Sequence, residues 1–177
     1  MPGLRRAWRD AYDEGAPEPM SKWLLCVLVF LCASTAHHNR AWTSEIELWH
    51  QAVQHAPEKP RPLINLSRAF EQRNHDDAAV ALSFRAIESS TDSRRSPYQR
   101  AYSRTAALSN LGHLYAKHGD PLRALAVLDL VLSEQPNFAP GIYNKSAVLA
   151  GLGRCEEARE LCRKARAINH NTPECPC

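Results

Sequence analysis

Apolar residues at Leu108, Leu111 and Tyr115 are spaced three and four apart, and Leu122, Leu125, Leu128 and Val131 take up the same rhythm after the break Gly119-Asp120-Pro121. Such spacing places each set on one helix face. The break has the chemistry of a turn: Gly119 can take the left-handed conformation that ends a helix, Asp120 can cap the next one, and Pro121 suits a first helical turn. The pattern therefore predicts a helical hairpin, with Ala124 small where the two helices approach. The same marks return downstream, since Gly119 and Gly153, Ala124 and Ala158, and Asn110 and Asn144 are each 34 residues apart. A fixed period of this length marks units that bury their apolar faces only by stacking. The useful surface of such a stack is a groove.

The run Asn110-Leu-Gly-His-Leu-Tyr115, followed by Gly119, Ala124 and Pro136, resembles the tetratricopeptide repeat (TPR). A second copy spans about Ala139 to Ile168, with Ile142, Leu149, Gly153, Ala158 and Ala165 in place and Lys145-Ser146 where the first has Leu111-Gly112. Upstream, Leu63, Leu66, Phe70, Ala79 and Ala86 give a third copy, but Asn65 lies 45 residues before Asn110. The excess of 11 falls near Thr91–Ala101, as a longer loop or an extended helix start. Glu45, Trp49, Ala52 and Pro57 fit only the second helix of a fourth unit, so the array opens on half a repeat. The expected fold is all-α, an apolar N-terminal helix followed by an antiparallel helical-hairpin solenoid over 41–168.

The apolar helix is Trp23–Ala36, fourteen residues without a charge. At helical rise it spans roughly 21 Å, short of a bilayer core of roughly 30 Å unless Met20–Arg40 extends into both interfaces. One expectation is a membrane anchor over 20–40, with the repeats on the outer, periplasmic side of an inner membrane. The other is a signal segment cut after Ser34-Thr35-Ala36, giving a secreted protein. Residues 1–19 read as disordered or interfacial.

The stretch Asn39–Glu45, Leu48-Trp49, Pro57–Pro62 and Asn65-Leu66 resembles the junction between the last membrane helix and the periplasmic repeats of bacterial membrane proteins related to protein O-mannosyltransferases. In that family the catalytic acids lie among earlier membrane helices, which are not in this sequence. The resemblance implies the tail of a membrane glycosyltransferase that presents substrate without performing the chemistry.

A formal charge of +3 on 177 residues gives no nucleic-acid footprint. There is no nucleophile motif, phosphate-binding glycine loop or paired metal-ligand motif, and no cofactor is implied. Six cysteines form no convincing framework. Cys155 and Cys162, two helical turns or roughly 10 Å apart, cannot bridge each other, and Cys162 takes the core slot held by Leu128. Cys175-Pro176-Cys177 could cross-link a partner or, with His170, bind a metal. Nothing amphipathic follows Ile168 in 169–177 to cover the last hairpin, so an apolar strip along Ala158–Ala165 is expected to be exposed and to drive self-association.

Asn65, Asn110 and Asn144 recur at one helical slot, so stacking aligns their amides along the concave wall, where each can clasp a peptide unit of an extended ligand or bond within the array. They resemble the asparagine ladder of certain repeat-containing glycosyltransferases. Arg68 and His113 lie one turn further along the same helices, with Arg61 and Tyr143 nearby. Two classes of function follow: a non-enzymatic, membrane-tethered scaffold binding a polypeptide partner in its groove, or the substrate-presenting tail of a split or truncated glycosyltransferase.

Overall fold

The structure is a computed structural model that describes residues 22–39 and 44–177, the side chains of residues 37 and 38 aside. It falls into two units divided between Trp42 and Thr43. In the first, Lys22–Asn39 forms one helix, α1, apolar on all sides, with Trp23 and Phe30 strongly exposed. Its length includes Lys22 at one end and His37-His38-Asn39 at the other, so no helix among the described residues is long and apolar enough to cross a membrane. The expected membrane-spanning helix over 20–40 is corrected in that respect. Met20, Arg40, Trp42 and residues 1–19 lie outside the described residues.

In the second unit seven helices run α2 (Glu45–His55), α3 (Pro60–Gln72), α4 (Asp76–Ser89), α5 (Pro97–Lys117), α6 (Pro121–Glu134), α7 (Ala139–Gly151) and α8 (Cys155–Ile168). Consecutive helices pack together, and α3, α5 and α7 also pack side by side. The hairpins α3–α4, α5–α6 and α7–α8 superimpose in register at offsets of 45 and 34 without a slip, and α2 is the lone second helix of a fourth unit. Its Val53, with Ile46 and Trp49, packs into the first core cluster beside Leu63, Leu66 and Leu82.

Each turn inside a hairpin is made the same way. Gly119 and Gly153 have φ of +76° and +77°, and the matching residue of the first hairpin is Asn74 at φ 59°, the residue that tolerates this region best after glycine. Asp120 then caps α6, its Oδ1 accepting from Arg123 N at 3.0 Å.

Helix contact within each hairpin depends on a matched pair of sizes. Ala79, Ala124 and Ala158 are fully buried. One slot along, Gly112 faces Leu128, and a Cβ on Gly112 would stand 2.8 Å from Leu128 Cγ. The equivalent pair in the first hairpin is Ser67 and Ser83, whose hydroxyls lie 2.9 Å apart while Ser67 also donates to Ala79 O at 2.8 Å. The third hairpin has Ser146 and Cys162 there, both fully buried. A small residue therefore faces a small one, and glycine alone faces leucine. Leu122, expected on the buried face of α6, is 77% exposed; the stripe is Ala124, Leu128 and Val131, and Leu122 in the first turn lies off it.

The end of the array corrects two expectations. Cys155 pairs with Cys177 and Cys162 with Cys175, at Cα separations of 5.7 and 5.6 Å. The tail runs back along α8 in the opposite direction, so two cysteines two turns apart on one helix face meet two cysteines in an extended Cys-Pro-Cys. Thr172 Oγ1 donates to Ala165 O, and Arg159 Nε to Cys177 O at 3.2 Å. Ala158, Cys162 and Ala165 are fully buried. The four cysteines thus form a framework, Cys175 and Cys177 are not left for a partner or a metal with His170, and the strip expected to be exposed is covered.

The excess of 11 residues is both a loop and a helix extension. α3 and α7 have 13 residues each and α5 has 21; the first eight of these, 97–104, have no counterpart in the other repeats. They start at a capping box in which Ser96 Oγ accepts from Gln99 N at 3.2 Å and Gln99 Oε1 accepts from Ser96 N, with Pro97 in the first turn.

Candidate functional site

Because α3, α5 and α7 lie side by side in one register, equivalent residues form rows across their shared concave face. That face holds an open groove of about 710 Å³. Asn65 and Arg68 from α3, Asn110 and His113 from α5, and Asn144 from α7 all border it. Arg61 borders it too, whereas Tyr143 does not.

The asparagines hold the wall of the groove as well as facing it. Asn144 Nδ2 donates to Ser109 O at 3.1 Å and to Ser109 Oγ at 3.0 Å, and Asn110 Nδ2 donates to Ile64 O at 3.5 Å. Each acceptor is the residue just before the preceding asparagine, so the amides tie each first helix to the one before it. This uses their N–H groups, while each Oδ1 has no hydrogen-bond donor among the described residues. Asn65 has no such helix before it, and among the described residues its amide has no partner at all. It offers both donor and acceptor.

The charged residues divide between paired and unpaired. His113 Nε2 lies 3.0 Å from Glu71 Oε1, the carboxylate that also borders the groove. Beyond them Lys117 Nζ is 2.8 Å from Asp76 Oδ1 and also donates to Glu71 O and Asn74 Oδ1. Arg61 and Arg68 are exposed and have no ion-pair or hydrogen-bond partner among the described residues.

Residues of the α5 extension make up the rest of the lining, together with Phe138. Tyr98 and Tyr102, one turn apart, stack with ring centroids 6.5 Å apart at 22°. Tyr102 meets Phe138 edge-on at 6.0 Å. Arg95, just before the extension, donates from Nη2 to Glu58 O at 3.0 Å, which fastens the inserted loop to the α2–α3 turn. Its Nε is 3.8 Å from Asp92 Oδ2, within ion-pair range but without a hydrogen bond. Hydrogen bonds from the Arg94 side chain and backbone hold the Asp92 carboxyl below its ordinary pKa. Sequence reasoning missed Tyr98, Tyr102, Arg95 and Phe138 as groove residues. The available signal was Ser96-Pro97, which marks a helix start, followed by tyrosines four apart.

No family model and no curated protein matches the chain. Solved structures do. One crystal structure of MamA protein aligns at 22% identity with a TM-score of 0.50, over 71% of this chain; the chain spans only 62% of that protein. A second MamA structure aligns at 21% identity and a TM-score of 0.51, over 95% of this chain and 88% of that one. YrrB, described as a TPR protein with an unusual peptide-binding site, aligns over 93% of both chains at 16% identity and a TM-score of 0.36. The MamA likeness is one of fold. With the 34-residue register, it defines the fold: an all-α array of repeated helical hairpins, whose marks resemble the tetratricopeptide repeat. Neither MamA likeness bears on the junction resemblance over Trp23–Phe70.

Proposed function

We propose that the protein is a non-enzymatic scaffold that binds an extended segment of a polypeptide partner across the concave face of α3, α5 and α7. The observation that carries this reading is the row of Asn65, Asn110 and Asn144 along one open groove, where among the described residues the Oδ1 acceptors of all three are unshared and the Asn65 amide has no partner. Such groups suit the N–H and C=O of a ligand backbone, whatever its sequence.

An exported location belongs to the same proposal. Two disulfides persist in oxidising compartments and are rare in the cytosol, and the apolar Trp23–Ala36 segment suits a leader or an interfacial attachment.

The test uses Asn65→Ala. A hydrogen bond of this kind is worth about 0.5–1.5 kcal/mol net, so capture of twelve-residue peptides from an arrayed library should weaken by about two- to tenfold with an unchanged melting temperature. Asn110→Ala and Asn144→Ala should lower the melting temperature as well, because they also remove the ties to Ile64 and Ser109. Undiminished capture by a stable Asn65→Ala variant would reject the proposal.

A further inference from the structure

The groove has two chemically different sides, and the inserted segment makes one of them. Arg61 and Arg68 on α3 present two guanidinium groups that are unpaired among the described residues, and Arg95, held by Glu58 O and near Asp92, also borders the groove. Among the described residues Glu71 is the one acid on the lining, and His113 already engages its carboxylate. Neighbouring on α5, Tyr98 is 77% exposed and Tyr102 51% exposed, so the stacked pair offers ring surface to solvent. Both stand on residues 97–104, the turns absent from α3 and α7. The stacked rings and Phe138 therefore form a feature of this groove that the repeat by itself does not supply.

We infer that the groove selects an acidic extended segment of a protein partner, in which an aromatic side chain packs on Tyr98 and Tyr102 while a nearby carboxylate meets Arg61 and Arg68. This rests on the peptide-binding reading above and names its ligand chemistry. Carboxylates are the anions that a planar guanidinium pairs with best, in two parallel hydrogen bonds. Offset or edge-on packing adds a ring to a tyrosine pair at little entropic cost, since neither partner has many rotamers to lose. Arg61 is level with Ala106 in the repeat register, about 6 Å of helix rise from Tyr102 and about 12 Å from Tyr98; with packed helices about 8–10 Å apart and an extended chain advancing about 3.3 Å per residue, the ring and a carboxylate on Arg61 fall about three to five residues from each other.

The experiment measures fluorescence anisotropy of the full chain, oxidised, with a labelled twelve-residue glycine–serine peptide that carries one phenylalanine and an aspartate three positions to each side. Replacing both aspartates by asparagine, or the phenylalanine by serine, should weaken binding by about tenfold in each case, the size of two partly exposed charge contacts or one ring contact. The variant Arg61→Glu/Arg68→Glu should lose the aspartate peptide and prefer its lysine counterpart. Tyr98→Ala should erase the difference between the phenylalanine and serine peptides. Both variants alter exposed side chains, and thermal melts establish that they fold.

Equal binding of the aspartate and asparagine peptides, with loss on Asn65→Ala, would overturn this inference and leave the general groove intact. Failure of every peptide to bind would overturn both. Displacement of the peptide by a twelve-nucleotide oligothymidylate at lower concentration would overturn the acidic-peptide assignment in favour of a nucleic acid.

Discussion

At Gly112 the absence of a side chain is a packing requirement, not a conformational one. Leu128 is fully buried, and its branch point, not a flexible end, would meet a new Cβ. Gly112→Ala should therefore destabilise by about 1–3 kcal/mol, the usual range for overpacking. A Leu128→Ala background should absorb much of that cost, and the coupling is read from denaturant melts of the single and double variants. If Gly112→Ala costs the same in both backgrounds, contact with Leu128 is not its cause. The same slot shows how residues can be equivalent without being alike: serine facing serine, glycine facing leucine and serine facing cysteine fill it in turn. Asn74 makes the parallel point about backbone, since it holds a left-handed φ where its two counterparts are glycines.

Among the helices, α5 carries the asymmetry of the molecule. Its first eight residues reach beyond the common repeat and carry both tyrosines, and Ser96 fixes where they begin. Ser96→Ala should cost about 1 kcal/mol of cap stability. The loss should be local: amide hydrogen exchange should quicken over 98–104 and stay unchanged from Leu108 to Lys117. Uniform quickening along α5 would show instead that the extension and the repeat helix open as one unit. The eleven-residue excess was visible in the sequence because it offset Asn65 from Asn110, but two things hid its use. Tyr98 and Tyr102 belong to no repeat position, so periodicity had nothing to say about them, and their place in the groove depends on α3 lying alongside. The hairpins, their turns and the buried alanines were legible because each rests on spacing within a few dozen residues. The covered terminus was not, since it depends on an antiparallel return of the tail that leaves no periodic trace, and Leu122 was misread because a first-turn residue can keep the rhythm of a stripe yet lie beyond its partner helix.

For the molecule as a whole, the tail does what a polar capping helix does in other repeat arrays. The loops closed by the disulfides span 22 and 13 residues, so by chain entropy each should contribute about 3 kcal/mol. Reductant should lower the melting temperature and uncover the side of α8 at Cys162 and Ala165 that the tail contacts, which an increase in dye binding or in sedimentation coefficient would register. Alkylation of the denatured, unreduced protein should label Cys26 and Cys32 alone; labelling of all six cysteines would remove the staple. The pairing also has a consequence for how the chain matures. Four cysteines admit three connectivities. In an unfolded chain their order along the sequence gives little reason to join the outermost pair, Cys155 and Cys177, and the inner pair, Cys162 and Cys175. Those partners come together only once α8 has coiled and set its two sulfurs two turns apart on one side. Oxidation to the native pairing is then a covalent record that the last helix formed first, and a chain oxidised too early would carry its error as a scrambled isomer, separable by chromatography and rescued by a disulfide isomerase.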